Sequence, residues 1–338
     1  VGFPEGRRPA GRRVINFVTT RSHAYTVRHL VGQLGNARRW SYERLFRQKE
    51  LRAGTWIFTD HERLSGFEIA LDAKVATKLE QGGSRVLNHP AHVRGRYELL
   101  KALNAAGINR FSAWRCENEP KPRSFPVFIR NEFDHLSSDL DLIPDQHALD
   151  ARLARMRREG VPLAGKLVIE YAGQEIAPGV WQRFATYRAG PRMIAHHNVV
   201  DFQWVAKDVK DTRRLLSHPM LPAFVENERR FVAENLYENL LRQAFDLAGI
   251  DYGRADFSLV DGRPQIFEIN TNPAHGSHRV IYRETFPARV ATQRLAEERL
   301  YDALRAVDMP NGPSIPLDDP ALRRQQKFRR IFLGLKRA

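Results

Sequence analysis

Cysteine is nearly absent from the 338-residue chain: Cys116 is the only one. No intrachain disulfide can form and no thiolate cluster can hold a metal, which suits a reducing, cytoplasmic setting. Long apolar runs are missing too. The most continuous, residues 14–18 and 167–169, have the length of strands, far short of the ~20 residues that a membrane-crossing helix requires. The first residues, Val1-Gly2-Phe3-Pro4, carry no apolar signal core, so a secretion address is not expected. The missing initiator Met suggests a trimmed or partial N-terminus. There is no Gly-x-Gly-x-x-Gly, no internal repeat and no low-complexity block. Gly160, Gly165 and Lys166 have the spacing of a P-loop. Leu167, however, stands where a P-loop needs Ser or Thr, and the segment leads into a strand-like run instead of a helix.

Positive charge is abundant: 54 Lys and Arg against 39 Asp and Glu, a net of +15. Such a balance invites a nucleic-acid reading, but its location argues against one. Residues 1–13 hold Arg7, Arg8, Arg12 and Arg13 against Glu5. Residues 321–338 hold Arg323, Arg324, Lys327, Arg329, Arg330, Lys336 and Arg337 with no acid. The surplus sits mostly on the two ends, and what remains in the body suits an anionic nucleotide.

Hydrophobic patterning gives an α/β chain. Strand-like runs at 14–20, 55–59 and 85–88 alternate with helical patterns at 24–34 and 65–81, which predicts a small parallel α/β unit. Beyond it, the pattern predicts helices at 96–106 and 149–158 and strands at 126–130, 166–171, 183–188 and 192–198. One long helix is expected over 226–248, capped by Gly249, then a hairpin at 255–270 and a helix at 288–306. The expected division is a flexible basic tail at 1–13, an N-terminal α/β domain at 14–88, a central subdomain at 89–175, a C-terminal subdomain at 176–308, and a Pro-rich linker with a basic tail at 309–338.

The hairpin carries the chemistry. Asp261-Gly262 between two strand-like runs is a strong turn signal. A three-residue loop, 261–263, would pair Val260 with Pro264 and set Asp256 opposite Glu268. Side chains alternate along a strand, so Glu268 and Asn270 share a face, while Phe257, Leu259, Phe267 and Ile269 take the other and bury. Two facing carboxylates repel unless a cation lies between them. Oxygen-only ligands favour Mg²⁺ or Mn²⁺ over zinc. The alternative is a surface hairpin with ordinary polar residues turned outward.

Glu268-Ile269-Asn270-Thr271-Asn272-Pro273 resembles the last metal-binding strand of the ATP-grasp superfamily, with Asp256 at the place of the family's third metal ligand. Arg254-Ala255-Asp256 resembles the Arg-x-Asp of its carboxylate–amine ligases, such as D-alanine–D-alanine ligases and glutathione synthetases. The resemblance spans roughly residues 14–308 and implies an α+β ATP-grasp fold in which two subdomains sandwich ATP behind the N-terminal unit. Asp256, Glu268 and Asn270 would then hold Mg²⁺ (or Mn²⁺), and Arg254 and Arg183 would stabilise the reaction's oxyanions. Arg96 and Arg130 fall where the family has its phosphate-binding lysines. Glu170, Tyr171 and Ala172 match the strand that reads adenine, and Glu175 is the candidate ribose acid. Asn272, His275 and Ser277, with His278 just beyond, fall in the loop that lines the acceptor site of the ligases; a solvated loop is the other reading. The alternative for Arg96, with Arg94, is a solvated helix start, and the phosphate role is the favoured reading. Arg130 lies in an apolar strand, where an unpaired charge is costly, so an anionic partner is expected.

Two features depart from the family. Arg replaces Lys at both phosphate positions, which keeps charge and changes geometry, and residues 131–138 lack a Gly-rich flap. Three functions remain open. The first is an ATP-dependent ligase joining a small-molecule or peptide carboxylate to an amine. The second is a phosphotransferase of the same fold. The third is a non-catalytic protein that binds nucleic acid or anionic membrane through its basic ends. Residues 328–337 are basic and apolar enough for an interfacial helix. A homodimer is compatible with all three. His196 and His197, adjacent on a predicted strand, are expected to face opposite ways and not to share a metal.

Overall fold

The computed structural model describes residues 13–133, 141–205, 212–275 and 287–323. The first unit comprises β1 (Ile15–Thr19), α1 (Arg28–Leu34), β2 (Ala37–Ser41), α2 (Tyr42–Leu45), β3 (Glu50–Arg52), β4 (Thr55–Phe58), α3 (Gly66–Gln81) and β5 (Arg85–Leu87). Four strands form a parallel sheet in the order β2-β1-β4-β5. Every residue of β1 and β4 is buried, as expected for parallel strands covered on both faces. Ser65 and Glu68 close a capping box at the start of α3, which satisfies backbone donors that the first turn leaves open. The edge strand β2 has no strand-like hydrophobic pattern: it reads ARRWS, with Arg38 and Arg39 exposed. Pairing with β1 makes it a strand.

The chain continues through α4 (Arg96–Ala105), β6 (Ala113–Arg115), β7 (Val127–Asn131), α5 (Gln146–Arg158) and β8 (Lys166–Glu170). These three strands form an antiparallel sheet in the order β6-β8-β7. Then come β9 (Trp181–Ala189), β10 (Arg192–Asp201), α6 (Thr212–Leu216), α7 (Leu221–Glu234), α8 (Glu238–Ala248), β11 (Tyr252–Val260) and β12 (Arg263–Asn270). Their strands form a second antiparallel sheet, β10-β9-β11-β12. A parallel unit followed by two antiparallel α+β layers is the architecture that the family resemblance implies.

The single helix expected over 226–248 is two helices. Asn235 and Tyr237 take positive φ, 51° and 66°, and end α7 before α8 begins. The Asn235 side chain accepts from the Ala195 amide and donates to the Met193 carbonyl, so β10 holds the break in place. Phe231, Leu241 and Phe245 from the two helices pack beneath Phe184, Phe257 and Ile266 of the sheet.

The last helix, α9 (Val290–Val307), joins the layers. Its Leu300, Leu304 and Val307 pack with Ile15 and Phe17 of the first sheet and with Tyr187 and Ile194 of the last. The segment expected to be a linker is packed against the first unit. Its strand β13 (Ser314–Pro316) pairs with β3, and Ile315, Leu317 and Leu322 bury there. Apolar residues between the prolines explain this, each burial stabilising by ~1.5–3 kcal/mol. Among the described residues, no helix is long and apolar enough to cross a membrane. The tail at 1–12, the flap residues 134–138, Ser277, His278 and the basic tail beyond 323 lie outside the described residues.

Candidate functional site

Asp256 and Glu268 face each other across β11 and β12, by a route that differs from the expected one. The turn is the two residues Asp261 and Gly262, at φ 51° and 72°, and Val260 pairs with Arg263. Both central residues at positive φ suit the strands' twist. A bulge then removes the one-residue difference: Asp256 pairs with Glu268 while Phe257 pairs with Ile266, leaving Phe267 extra. Such a bulge re-aims a side chain. Phe267 is therefore not on the core face as expected. Ile266 takes that place in the core, and Phe267 turns to the opposite side, 6.0 Å from the Phe111 ring.

The two carboxylates are held by guanidinium groups. Arg254, two residues before Asp256 on the same strand face, donates to both of its oxygens at 2.8 and 2.9 Å. Arg183 of β9 stands 3.7 Å from the same carboxylate. Arg96, at the start of α4, reaches Glu268 at 2.8 Å and the carbonyls of Asn131 and Glu132 at 3.0 and 2.8 Å. Arg130 of β7 reaches Glu268 at 3.4 Å. Burial opposes the charge on Arg254, but Asp256 and the Tyr187 hydroxyl beside it hold its pKa above the ordinary value. Burial raises the Tyr187 hydroxyl pKa, and Arg254 partly offsets this.

Two carboxylates and the Asn270 amide make an oxygen donor set that fits a hard divalent cation. Among the described residues, no group of three or more His, Cys, Asp or Glu side chains could hold a metal, so protein donors beyond the two carboxylates would have to come from a group such as the Asn270 amide. That amide oxygen accepts from the Asn272 amide at 2.7 Å. Four guanidinium groups around two carboxylates leave a positive surplus, which suits a polyphosphate.

A cleft of about 1000 Å³, open to solvent on one side, extends from this pair. Aromatic rings from the two antiparallel layers and their connections line it: Phe111 and Phe128, Tyr171 and Trp181, Trp204 and Phe267. Trp204 lies 5.0 Å from Phe128 and 5.3 Å from Tyr171, and the Trp181 indole donates to the Tyr171 hydroxyl at 3.0 Å. No local pattern links these residues, so the sequence did not single them out as a group. Glu170, Tyr171 and Ala172 are in the lining. The Glu170 carboxylate, however, accepts from the amides of Ser112, Arg123 and Ser124 at 2.7–2.8 Å, so it braces the central sheet. Glu175 is outside the lining. Its carboxylate accepts from the Gly179 amide at 2.9 Å in an exposed turn.

The carboxyl ends of the parallel strands meet the end of β12, the crevice where open α/β sheets bind ligands. Asn88, at φ 57° after β5, accepts from the amides of Asp251 and Tyr252 and donates to the carbonyls of Phe58 and Tyr252. Asn272 is buried, bonded to Thr26 at 2.7 Å and Thr19 at 3.1 Å. His275 meets the Tyr252 hydroxyl at 3.1 Å, and its ring lies tilted with its centre 5.2 Å from that of Tyr187. A second cavity of about 830 Å³ lies here, lined by His61, Arg96, Glu132, Glu268 and Asn270 among others. Glu268 lines both spaces.

His196 and His197 do not face opposite ways. A bulge between Ala195 and His197 brings their Nδ1 atoms to 2.8 Å, because the extra residue breaks the strand's alternation.

No family model matches the chain, and no curated protein matches it in sequence. Solved structures do. D-alanine–D-alanine ligase from Bacillus anthracis, complexed with ATP, is 13% identical over 87% of this chain and 98% of its own, with a TM-score of 0.45. A RimK domain ATP-grasp protein from Sphaerobacter thermophilus is 14% identical over 84% and 99%, with a TM-score of 0.42. The ATP-grasp ligase PsnB, complexed with precursor peptide PsnA2 and AMPPNP, is 12% identical over 90% and 99%, with a TM-score of 0.48. Over most of its length, this chain is similar to ATP-grasp ligases.

Proposed function

We propose that the protein is an ATP- and Mg²⁺-dependent ligase that joins a carboxylate to an amine on a small molecule or peptide. One observation carries the reading: Asp256 and Glu268 face each other inside four arginines, where an aromatic cleft meets the carboxyl edge of a parallel sheet.

Adenine would lie among the aromatic rings and be read by the backbone of residues 170–172, since the Glu170 carboxylate is engaged elsewhere. Arg96 and Arg130 would exchange Glu268 for phosphate oxygens. Asp256, Glu268 and Asn270 would hold Mg²⁺ (or Mn²⁺), which when bound neutralises charge on the β- and γ-phosphates. A substrate carboxylate oxygen attacks the γ-phosphorus, and ADP leaves with the bond pair. The amine nitrogen then bonds to the acyl carbon, the carbon–oxygen bond to phosphate breaks, and the nitrogen's proton passes to water. Arg254 and Arg183 lie at Asp256, where they can stabilise the developing oxyanions.

A phosphate-release screen over carboxylic acids and amines tests this. Turnover is expected for at least one pair in the wild type and for none in Asp256→Asn or Glu268→Gln. Full turnover in both variants sinks the site. A phosphorylated product without free phosphate would make the protein a phosphotransferase.

A further inference from the structure

Side chains close the edges of the last sheet. On β10, Asn235 serves Met193 and Ala195, while Glu228 accepts from the Asn198 amide and Arg289 donates to the Asn198 carbonyl. On β12, Asn109 serves both peptide groups of Ile266. The edge strand β2 of the first sheet is left open. The Ile15 amide donates to the Asn36 carbonyl at 3.1 Å, which sets the phase of the parallel ladder. Asn36, Arg38 and Trp40 turn their peptide groups to β1, and Ala37 and Arg39 turn theirs outward. Among the described residues, nothing bonds to those outward groups. Such an edge is a template for another strand.

Charge around this edge is one-sided. Residues 21–52 hold eight Lys and Arg against Glu43 and Glu50, and all eight basic side chains are exposed. None of them makes an ion pair among the described residues. Exposed arginines elsewhere do: Arg110 with Asp261, Arg229 with Glu226, Arg230 with Glu234. Side chains alternate along a strand, so cations flank the open edge on both faces. Arg39 shares the α1 face with Ala37 and donates to the Ala24 carbonyl at 3.1 Å. Arg38 shares the other face with Trp40, over whose ring the Arg44 guanidinium lies at 4.1 Å.

We propose that the β2 edge docks an extended acidic peptide segment of a partner protein, which adds to the first sheet as one more strand. The outward peptide groups of Ala37 and Arg39 hold its main chain. Its carboxylates meet Arg39 on one face, and Arg38 and Arg44 on the other. A second copy of this chain is a poor occupant, because pairing two β2 edges would set one group of unpaired cations against another. A nucleic acid would use the charge and leave the outward peptide groups without strand partners. The proposal is independent of the ligase reading, since β2 lines neither of the two cavities described above.

The test uses the full chain and a short peptide of glutamates interspersed with valines. Its controls are the same peptide N-methylated throughout, which keeps the charge and removes every amide donor, a version with lysine for glutamate, and oligothymidylate. Calorimetry measures affinity, and amide exchange by NMR reports where the peptide sits. The glutamate peptide is expected to bind, more weakly as salt rises, and to slow exchange at the Ala37 and Arg39 amides. Affinity is expected to fall about tenfold or more in Arg38→Glu with Arg39→Glu, which reverses charge on both faces. The thermal midpoint checks that this variant folds, and Arg44→Glu, off the strand, gives a second reading in the same direction. No binding, equal binding of the N-methylated or lysine peptide, unslowed exchange at Ala37 and Arg39, or unchanged affinity in both variants would overturn the proposal. So would tighter binding of oligothymidylate than of the glutamate peptide, which would make the edge a nucleic-acid surface. A dimer in sedimentation that the double variant dissolves would overturn it too, by making a second copy the occupant.

Discussion

Asp256 and Asp72 are equally hidden from solvent, at 2% and 0% exposure, yet the protein treats them in opposite ways. Asp256 is gripped by Arg254 and approached by Arg183. Asp72, inside the first unit, has no such company. The Tyr42 hydroxyl beside it donates to the Thr59 carbonyl, and neither Asp72 oxygen makes a well-formed hydrogen bond. Burial first, then the charge of Glu68, pushes the Asp72 pKa well above the usual carboxylate range. Burial alone does not decide whether a carboxylate is charged; the groups arrayed around it do. The arginines gathered at the hairpin give its carboxylates cationic partners, whereas the first unit buries Asp72 without one.

The sharpest break of that comparison is Asp256→Ala. It leaves Arg254 as a buried charge without its main partner, at a cost of about 3–5 kcal/mol. Urea denaturation should show this loss, and Arg254→Met in the same chain should restore most of it. A single variant as stable as wild type would mean that Asp256 does not compensate Arg254.

A second contrast lies in how the two regions respond to acid. The folded His61 pKa of about 4 is below the ordinary 6.5, so the unfolded chain binds its proton first. Its contribution is complete above pH 6.5 and is lost as pH falls toward 4, about 3 kcal/mol over that window. Chevron or urea midpoints across it should fall less steeply in His61→Phe. An unchanged slope would show that His61 is not buried neutral.

Asp72 gives the smallest effect, with the opposite sign. Its folded pKa is raised, so its contribution is present below pH 3.8 and declines as pH rises toward the folded value. Asp72→Asn should remove that decline and stabilise the protein at neutral pH by on the order of 1 kcal/mol. Destabilisation at neutral pH, read from the thermal midpoint, would show that the carboxylate has a partner that matters.

Legibility in the sequence tracks distance along the chain. β1, β4, β5 and α3 were readable from apolar runs and the helical pattern at 65–81, because those signals are local. The edge strand β2 was not, since Arg38 and Arg39 carry no strand pattern and only pairing with β1 makes them one. The break at Asn235 was hidden because the apolar spacing continues through it; what stops the helix is a side chain bonded to β10. Likewise, Glu170 looked like a ligand-reading acid because nothing nearby shows that its oxygens meet three amides from two other segments.

The sequence by itself determined the hairpin and the facing of Asp256 and Glu268, because a turn signal and strand alternation act over a dozen residues. It misjudged the turn length, and the bulge at Phe267 made up the difference. Only the tertiary structure decided which cations surround that pair. Arg254 comes from the same strand, but Arg183, Arg130 and Arg96 arrive from two different sheets and a helix start. Burial of opposite charges together is favourable only where the whole fold packs around them, and no stretch of chain carries that information alone.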